Sequence, residues 1–207
     1  MDKNIIYKGA EAEIVHSIYM DKKVVEKRRV SKSYRIKEID NNLISSRTKE
    51  ESKLIIEARK CGVSVPIIYD IDLKNGIITM EYIKGDRIKD ILNNLDESKR
   101  VEICNNIGEN IARLHNNDII HGDITTSNMI LLDERVYFID FGLGCKCDEI
   151  ESRGVDLHVL MEAFESTHSQ NKNCFNYVID GYKKEYNFNV NAVVNKIQDI
   201  VKRGRYR

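Results

Sequence analysis

The 207-residue sequence predicts an α+β fold of two lobes, residues 1–82 rich in strands and residues 83–207 mostly helical. Three observations predict it. Two pairs of strand-like runs bracket one helical pattern in the first lobe. Helical periodicity then dominates, interrupted by one short strand pair between 129 and 139. A single proline, Pro66, and the lack of any Gly/Ser-rich tract leave no flexible linker between the halves.

In chain order, 12–20 and 24–30 read as strands joined by an Asp21-Lys22-Lys23 turn. Residues 47–60 read as a helix that stops at Cys61-Gly62, and 67–73 and 77–82 as a hairpin across Lys74-Asn75-Gly76, since Asn-Gly favours the positive φ that tight hairpins need. Val101, Cys104, Ile107, Ile111 and Leu114 recur at three- and four-residue steps, which predicts a helix. Residues 129–132 and 136–139 are short apolar strands around Asp133-Glu134-Arg135, and helical patterns near 154–167, 172–186 and 190–203 complete the chain.

Charge excludes little, because 33 basic residues balance 33 acidic ones, so any nucleic-acid argument must rest on local clusters. The five cysteines are scattered, and Cys145-Lys-Cys147 lacks the spacing of a zinc knuckle, so reduced thiols are expected. With no apolar run of membrane-spanning length and no apolar signal region after Met1, the expectation is a cytoplasmic protein with no membrane partner.

The chemistry concentrates in His121-Gly-Asp-Ile-Thr-Thr-Ser-Asn128, followed twelve residues later by Asp140-Phe-Gly142. An Asp and an Asn five residues apart, then a second Asp before Phe-Gly, is what a protein-kinase-like site requires. Asp123 would accept or orient the proton of the attacking hydroxyl. Asn128 and Asp140, at opposite ends of the predicted hairpin, would hold Mg²⁺, or Mn²⁺ in its place, against the ATP phosphates. The competing reading, a chance loop and an ordinary turn, is disfavoured by both motifs occurring in order.

Lys27 is the candidate phosphate-binding lysine, sharing a strand face with Val25. Its rival reading is a solvated charge run with Arg28, Arg29 and Lys32. Glu51 falls with Leu54, Ile55 and Ala58 at i, i+3, i+4 and i+7, which puts its carboxylate on an apolar helix face. A buried carboxylate needs a partner, and Lys27 is the one expected. The alternative is that Thr48-Lys-Glu-Glu51 is a capping box. A nucleotide-covering loop is expected at Ile6, Gly9, Ala10, Glu11, Ala12 and Ile14, with one glycine where two or three are usual and small alanines beside it. Met80, Glu81 and Tyr82 would form the hinge whose backbone bonds adenine.

His115 reads as a polar helix end, His121 as a structural histidine, and Asp156 as a brace for the catalytic loop from the start of a helix. Gly122 stands where a regulated protein kinase has arginine. Fifteen residues separate Asp140 from Asp156 without an Ala-Pro-Glu element. A loop so short offers little platform for a peptide, while ATP binding and hydrolysis remain expected. Eight cations, Lys22, Lys23, Lys27, Arg28, Arg29, Lys32, Arg35 and Lys37, lie within sixteen residues, opposed by Glu26 alone inside that span. Lys202, Arg203, Arg205 and Arg207, interleaved with Tyr206, suit phosphate-backbone contacts; the plain alternative is a solvated tail.

Lys27-x₄-Lys32-x-Tyr34-Arg35, Arg47-Thr-Lys-Glu-Glu51, the His121 and Asp140 motifs and the Arg203-Gly-Arg-Tyr-Arg207 ending together resemble the small atypical kinase subunit of the KEOPS complex. The resemblance spans nearly the whole chain. It implies a minimal bilobal protein-kinase-like fold, with Asp123 the catalytic acceptor, Lys27 the ATP lysine, Glu51 its partner, and Asn128 and Asp140 the metal ligands. It implies Ser/Thr autophosphorylation and ATPase activity in a complex that makes threonylcarbamoyl-adenosine 37 in tRNA. The implied partners are the threonylcarbamoyl-transferring subunit, a small helical subunit and tRNA. In some archaea kinase and transferase are fused; Met1 argues here for a separate chain. The nearest rival is a RIO-type kinase of ribosome maturation, which usually carries an extra N-terminal domain. Small-molecule phosphotransferases of the aminoglycoside or choline type need a large helical insert. A non-catalytic RNA-binding scaffold would have no need of all five catalytic positions.

Overall fold

The structure, a computed structural model, describes residues 5–9 and 11–204. Ala10 of the nucleotide loop and Arg205, Tyr206 and Arg207 of the basic tail lie outside the described residues.

The first lobe is a five-stranded antiparallel sheet with one long helix. Its strands are β1 (Ile5–Lys8), β2 (Ala12–Tyr19), β3 (Lys22–Arg29), β4 (Ile68–Asp72) and β5 (Ile77–Glu81), in the order β1-β2-β3-β5-β4. The β2–β3 turn is two residues, Met20 and Asp21, both at positive φ (46° and 61°), so Lys22 and Lys23 belong to the strand and not to the expected turn. A two-residue turn of that hand follows the twist of the strands it joins. Alternation along β3 buries Val24 on one side and places Val25, Lys27 and Arg29 on the other.

Helix α1 (Lys37–Lys60) begins ten residues before the 47–60 segment that periodicity predicts. Its opening turns carry Asn41, Asn42, Ser45 and Ser46, poor helix formers with no continuous apolar face. A tertiary contact holds them instead. Buried Asp40 accepts from Ser31 Oγ (2.6 Å), from the Lys32 amide (3.0 Å) and from Arg35 Nη1 (3.2 Å), tying the helix start to the chain leaving β3.

The second lobe begins with β6 (Asp86–Arg87) and the single turn α2 (Ile88–Ile91). Helix α3 (Glu97–Asn116) follows, capped by Asp96, which accepts from the Lys99 amide at 2.9 Å. Then come β7 (Ile119–Ile120), β8 (Met129–Leu132), β9 (Arg135–Phe138) and β10 (Cys145–Lys146). β7 pairs with β10, and β8 pairs with β6 on one side and β9 on the other. The β8–β9 turn is again two residues, Asp133 and Glu134 at positive φ, so Arg135 is the first residue of a strand expected to start at 136. Helices α4 (Ile150–Thr167), α5 (Cys174–Glu185) and α6 (Val190–Gly204) close the fold. Asp156 therefore lies inside α4, not at its start.

Leu54, Ile55 and Ala58 of α1 share one buried cluster with Ile107, Ile111 and Leu114 of α3, and with Phe138, Phe141 and Leu157. The helix that carries Glu51 is thus anchored to both lobes. No helix among the described residues is long and apolar enough to cross a membrane.

Candidate active site

The His121–Asn128 loop leaves β7 at His121. This residue is fully buried, its ring 4.4 Å from that of Phe141 between centroids. Burial pushes the imidazole pKa below its ordinary value, outweighing the nearby carboxylates of Asp156, Asp140 and Asp123. The neutral ring donates from Nε2 to the Ile139 carbonyl (3.2 Å), and its Nδ1 then accepts from the Asp123 amide (3.4 Å). The tautomer assigned by these partners ties the loop to the strand leading into Asp140, the structural role its sequence context suggests.

Asp156 sits beneath. Its Oδ2 accepts the His121 amide (2.8 Å) and its Oδ1 the Gly122 amide (2.9 Å), and His115 Nε2 lies 3.3 Å from Oδ2. Burial alone would raise this carboxyl, but the His115 bond and charge hold it below the usual carboxylate range. His115 is no polar helix end. It is fully buried because α4 and α5 close over the last turn of α3, and its Nδ1 meets the Tyr182 hydroxyl at 3.0 Å. Gly122 has φ +82°, and a Cβ there would strike the Leu143 carbonyl. The position that holds arginine in regulated kinases can here hold only glycine.

Asn128 donates from Nδ2 to both the carbonyl and the carboxylate Oδ2 of Asp123, each at 2.9 Å. Its own carbonyl accepts the Ile139 amide (3.0 Å), so the β8–β9 hairpin brings Asp140 back beside it. Asp140 adopts φ +64°, and its Oδ1 accepts from Lys27 Nζ (2.6 Å) and from the Gly142 amide (3.2 Å). The site residues drawn from the second lobe thus converge.

Across the cleft, Lys27 Nζ donates to Glu51 Oε1 at 2.5 Å. Lys27 is 6% exposed and Glu51 2%, so neither belongs to a solvated charge run. Thr48 lies well inside α1 and donates to the Ile44 carbonyl (2.7 Å), which removes the capping-box reading. Burial pulls the ammonium pKa of Lys27 down, yet the Glu51 and Asp140 carboxylates outweigh it and leave the pKa raised. Burial likewise pushes Asp140 up, and Lys27 more than reverses it. Lys27 and Asp140 are therefore both charged at neutral pH.

Sequence reasoning missed Arg29. Its Nη2 donates to Glu51 Oε2 at 2.6 Å, so Glu51 is shared between two cations. The signal was available, since Arg29 lies two residues beyond Lys27 on the same strand face. Within the same basic run Arg28 pairs with Glu26 and Arg35 with Asp40, so part of its charge is already neutralised.

In the segment expected to cover the nucleotide, the Gly9 amide donates to the Ala12 carbonyl (2.9 Å). The Glu11 carboxylate takes Arg47 of α1 at 2.5 Å, Ile6 is exposed and Ile14 half-buried. At the hinge, Met80 is buried and Tyr82 packs edge-on to His16. The Glu81 amide donates to the Ile67 carbonyl (2.8 Å), which commits that one donor within the lobe. At the C-terminal end, Lys202 is exposed, while Arg203 pairs with Glu151 at the start of α4 (2.5 Å), joined there by Lys196 (3.0 Å). The last turn of α6 thus lies beside the segment that follows Asp140.

A match to the RIO domain family covers residues 2–179. The KEOPS complex subunit Bud32 of Pyrococcus abyssi is 44% identical over 98% of this chain and 96% of its own length. The probable bifunctional tRNA threonylcarbamoyladenosine biosynthesis proteins of Methanobrevibacter smithii and Methanothermobacter thermautotrophicus are 43% and 44% identical over 98% of this chain. This chain spans only 37% and 36% of their respective lengths. Among solved structures, WaaP in complex with acyl carrier protein superposes with a TM-score of 0.68 at 9% identity, covering 98% of this chain and 86% of that one. At that identity the likeness speaks for the fold alone.

Proposed function

The chain belongs to the RIO domain family and, within it, to the Bud32 subunits of the KEOPS complex, and on that premise we propose an atypical Mg-ATP-dependent Ser/Thr kinase and ATPase that serves threonylcarbamoyl modification of adenosine 37 in tRNA. The observation that carries the reading is the facing of two sets across one cleft. Lys27 with Glu51 stands on one side, Asp123 with Asn128 and Asp140 on the other.

ATP would lie between the Gly9–Ala12 turn and the hinge beyond Glu81, with Lys27 on its phosphates. The ammonium is charged and 2.6 Å from Asp140, so binding exchanges one anionic partner for another instead of stripping a cation bare. Asp123 acts as proton acceptor for a hydroxyl or water, its carboxylate held in one orientation by Asn128 Nδ2. With that amide nitrogen committed, Asn128 presents its oxygen. Together with the Asp140 carboxylate this is an all-oxygen donor set suited to Mg²⁺. The metal, when bound, supplies charge neutralisation across the phosphates.

Partners follow from the relatives. A near full-length relative is named as a KEOPS subunit, and the longer ones are named for tRNA threonylcarbamoyladenosine biosynthesis. The partners proposed are a threonylcarbamoyl-transferring subunit, a small helical subunit and tRNA. Lys202, Arg205 and Arg207 would contact the tRNA, and Arg203 only by leaving Glu151.

The test is Mg²⁺-dependent ATP turnover by this chain with its transferring partner, with and without tRNA, for the unsubstituted chain and Asp140→Ala. Turnover that tRNA stimulates and the substitution abolishes is expected. Turnover indifferent to tRNA would overturn the tRNA role, and turnover surviving Asp140→Ala would overturn the site.

A further inference from the structure

We propose that Arg29 is a positioning residue for phosphoryl transfer, holding the second oxygen of Glu51 so that Lys27 meets the phosphates without an activation-loop switch. The inference rests on the phosphoryl-transfer reading above and concerns a residue that reading does not use.

Glu51 is bonded on both oxygens, Oε1 to Lys27 and Oε2 to Arg29. The three side chains are 7%, 6% and 1% exposed for Lys27, Arg29 and Glu51. If Lys27 were the sole partner, moving its ammonium toward a triphosphate would leave a buried carboxylate half-compensated, and α1 could swing to hydrate it. Arg29 removes that cost. One guanidinium nitrogen carries two N–H donors and can bond two acceptors at once. Here Nη2 meets both Glu51 and the Arg47 carbonyl (3.4 Å), one turn apart on α1. A single group from β3 thereby sets the rotation of α1 that aims Glu51.

Arg29 also reaches the turn after Asp140. A methyl group placed on Gly142 would stand 3.3 Å from Lys27 Nζ and 3.6 Å from Arg29 Nη2. Strand, helix and Asp-Phe-Gly turn thus meet at one guanidinium. Stability does not account for this choice of residue. Arg29 Nε is buried with no hydrogen-bond partner among the described residues; replacing Arg29 and Glu51 together by apolar side chains would remove that penalty, whereas replacing Arg29 alone strands Glu51 Oε2.

The experiment compares Arg29→Met, Arg29→Lys, Glu51→Gln and the Arg29→Met/Glu51→Gln double variant by kcat and KM for ATP, with affinity for a non-hydrolysable ATP analogue and melting temperature measured alongside. Arg29→Met strands Glu51 Oε2, so it is expected to melt at a lower temperature and, measured on folded protein, to lose about tenfold or more in kcat, with KM changed less than about threefold. On the Glu51→Gln background the same substitution should cost less than about twofold, because nothing remains for Arg29 to position. Arg29→Lys places a cation near Glu51 on a shorter side chain that lacks the guanidinium's reach, so it should recover part of kcat; if Arg29→Met does not fold, a reduced kcat in Arg29→Lys carries the test. Unchanged kcat in the foldable variant, or the same loss on both backgrounds, would overturn the proposal. An unsubstituted chain that neither binds the analogue nor turns over ATP would remove the phosphoryl-transfer reading, and this inference with it.

Discussion

In the catalytic loop, Asp156 fixes His121 and Gly122 by accepting both backbone amides from within the same lobe. Across the cleft, Lys27 is fixed by carboxylates from two other elements, Glu51 of α1 and Asp140 of the turn after β9. The first arrangement is a set of hydrogen bonds with no reason to change when a ligand arrives. The second is a charge balance, Lys27 and Arg29 against Glu51 and Asp140, into which a triphosphate brings further negative charge. One side of the cleft is a rigid template. The other must exchange partners, and a divalent cation entering with the nucleotide restores its balance.

The comparison breaks most sharply at the template. Asp123→Ala should lower turnover by about 10²-fold or more while ATP affinity stays close to that of the unsubstituted chain, because the lost group acts on the nucleophile. Steady-state kinetics beside nucleotide titration check both halves, and a parallel loss of affinity would place Asp123 on the nucleotide instead.

Removing the brace should show as stability. Asp156→Ala strands two backbone amides and His115 in the interior, and should cost about 3 kcal/mol or more in urea unfolding. A cost below about 1 kcal/mol would mean that the loop is held by something other than this carboxylate.

Acid should find the same region. Burial holds His121 and His168 below the ordinary histidine pKa, so both are neutral when folded and take up protons more readily when unfolded. Stability is then complete above about pH 6.5 and is lost as pH falls from there through the lower folded values. The melting temperature should drop between pH 7.5 and 5.5; Asp140 and Asp156, held below the usual carboxylate range, add their loss at lower pH. A flat profile over that window would contradict the buried neutral histidines. The smallest effect belongs to Arg47 and Glu11, whose side chains are 40% and 46% exposed. Screening limits that pair, and Arg47→Ala should change stability by under about 1 kcal/mol by thermal melting.

Much of this was legible in the sequence, for physical reasons. Lys27 and Glu51 could be read because each sits in a local periodicity, two for the strand and about 3.6 for the helix, which states the direction of a side chain without the fold. Asp123, Asn128 and Asp140 could be read because a short hairpin connects them. What escaped depends on contacts distant in the chain. Arg29 looked like one more member of a basic run until Glu51, 22 residues on, took its charge. The first turns of α1 lack helix propensity and are held by Asp40 reaching back to Ser31 and Arg35. His115 looked polar until Tyr182, 67 residues later, covered it. The two-residue turns at Met20-Asp21 and Asp133-Glu134 escaped because neither contains the glycine that usually marks positive φ.

The most direct test of the partner-exchange account is the ATP affinity of Asp140→Ala without divalent metal, compared with the unsubstituted chain, with turnover followed on the same preparation. Asp140 competes with phosphate for Lys27 in the empty cleft. Its removal should therefore leave metal-free ATP affinity unchanged or tighter while turnover with Mg²⁺ is lost. Weaker metal-free binding in the variant, or turnover retained with Mg²⁺, would contradict the account.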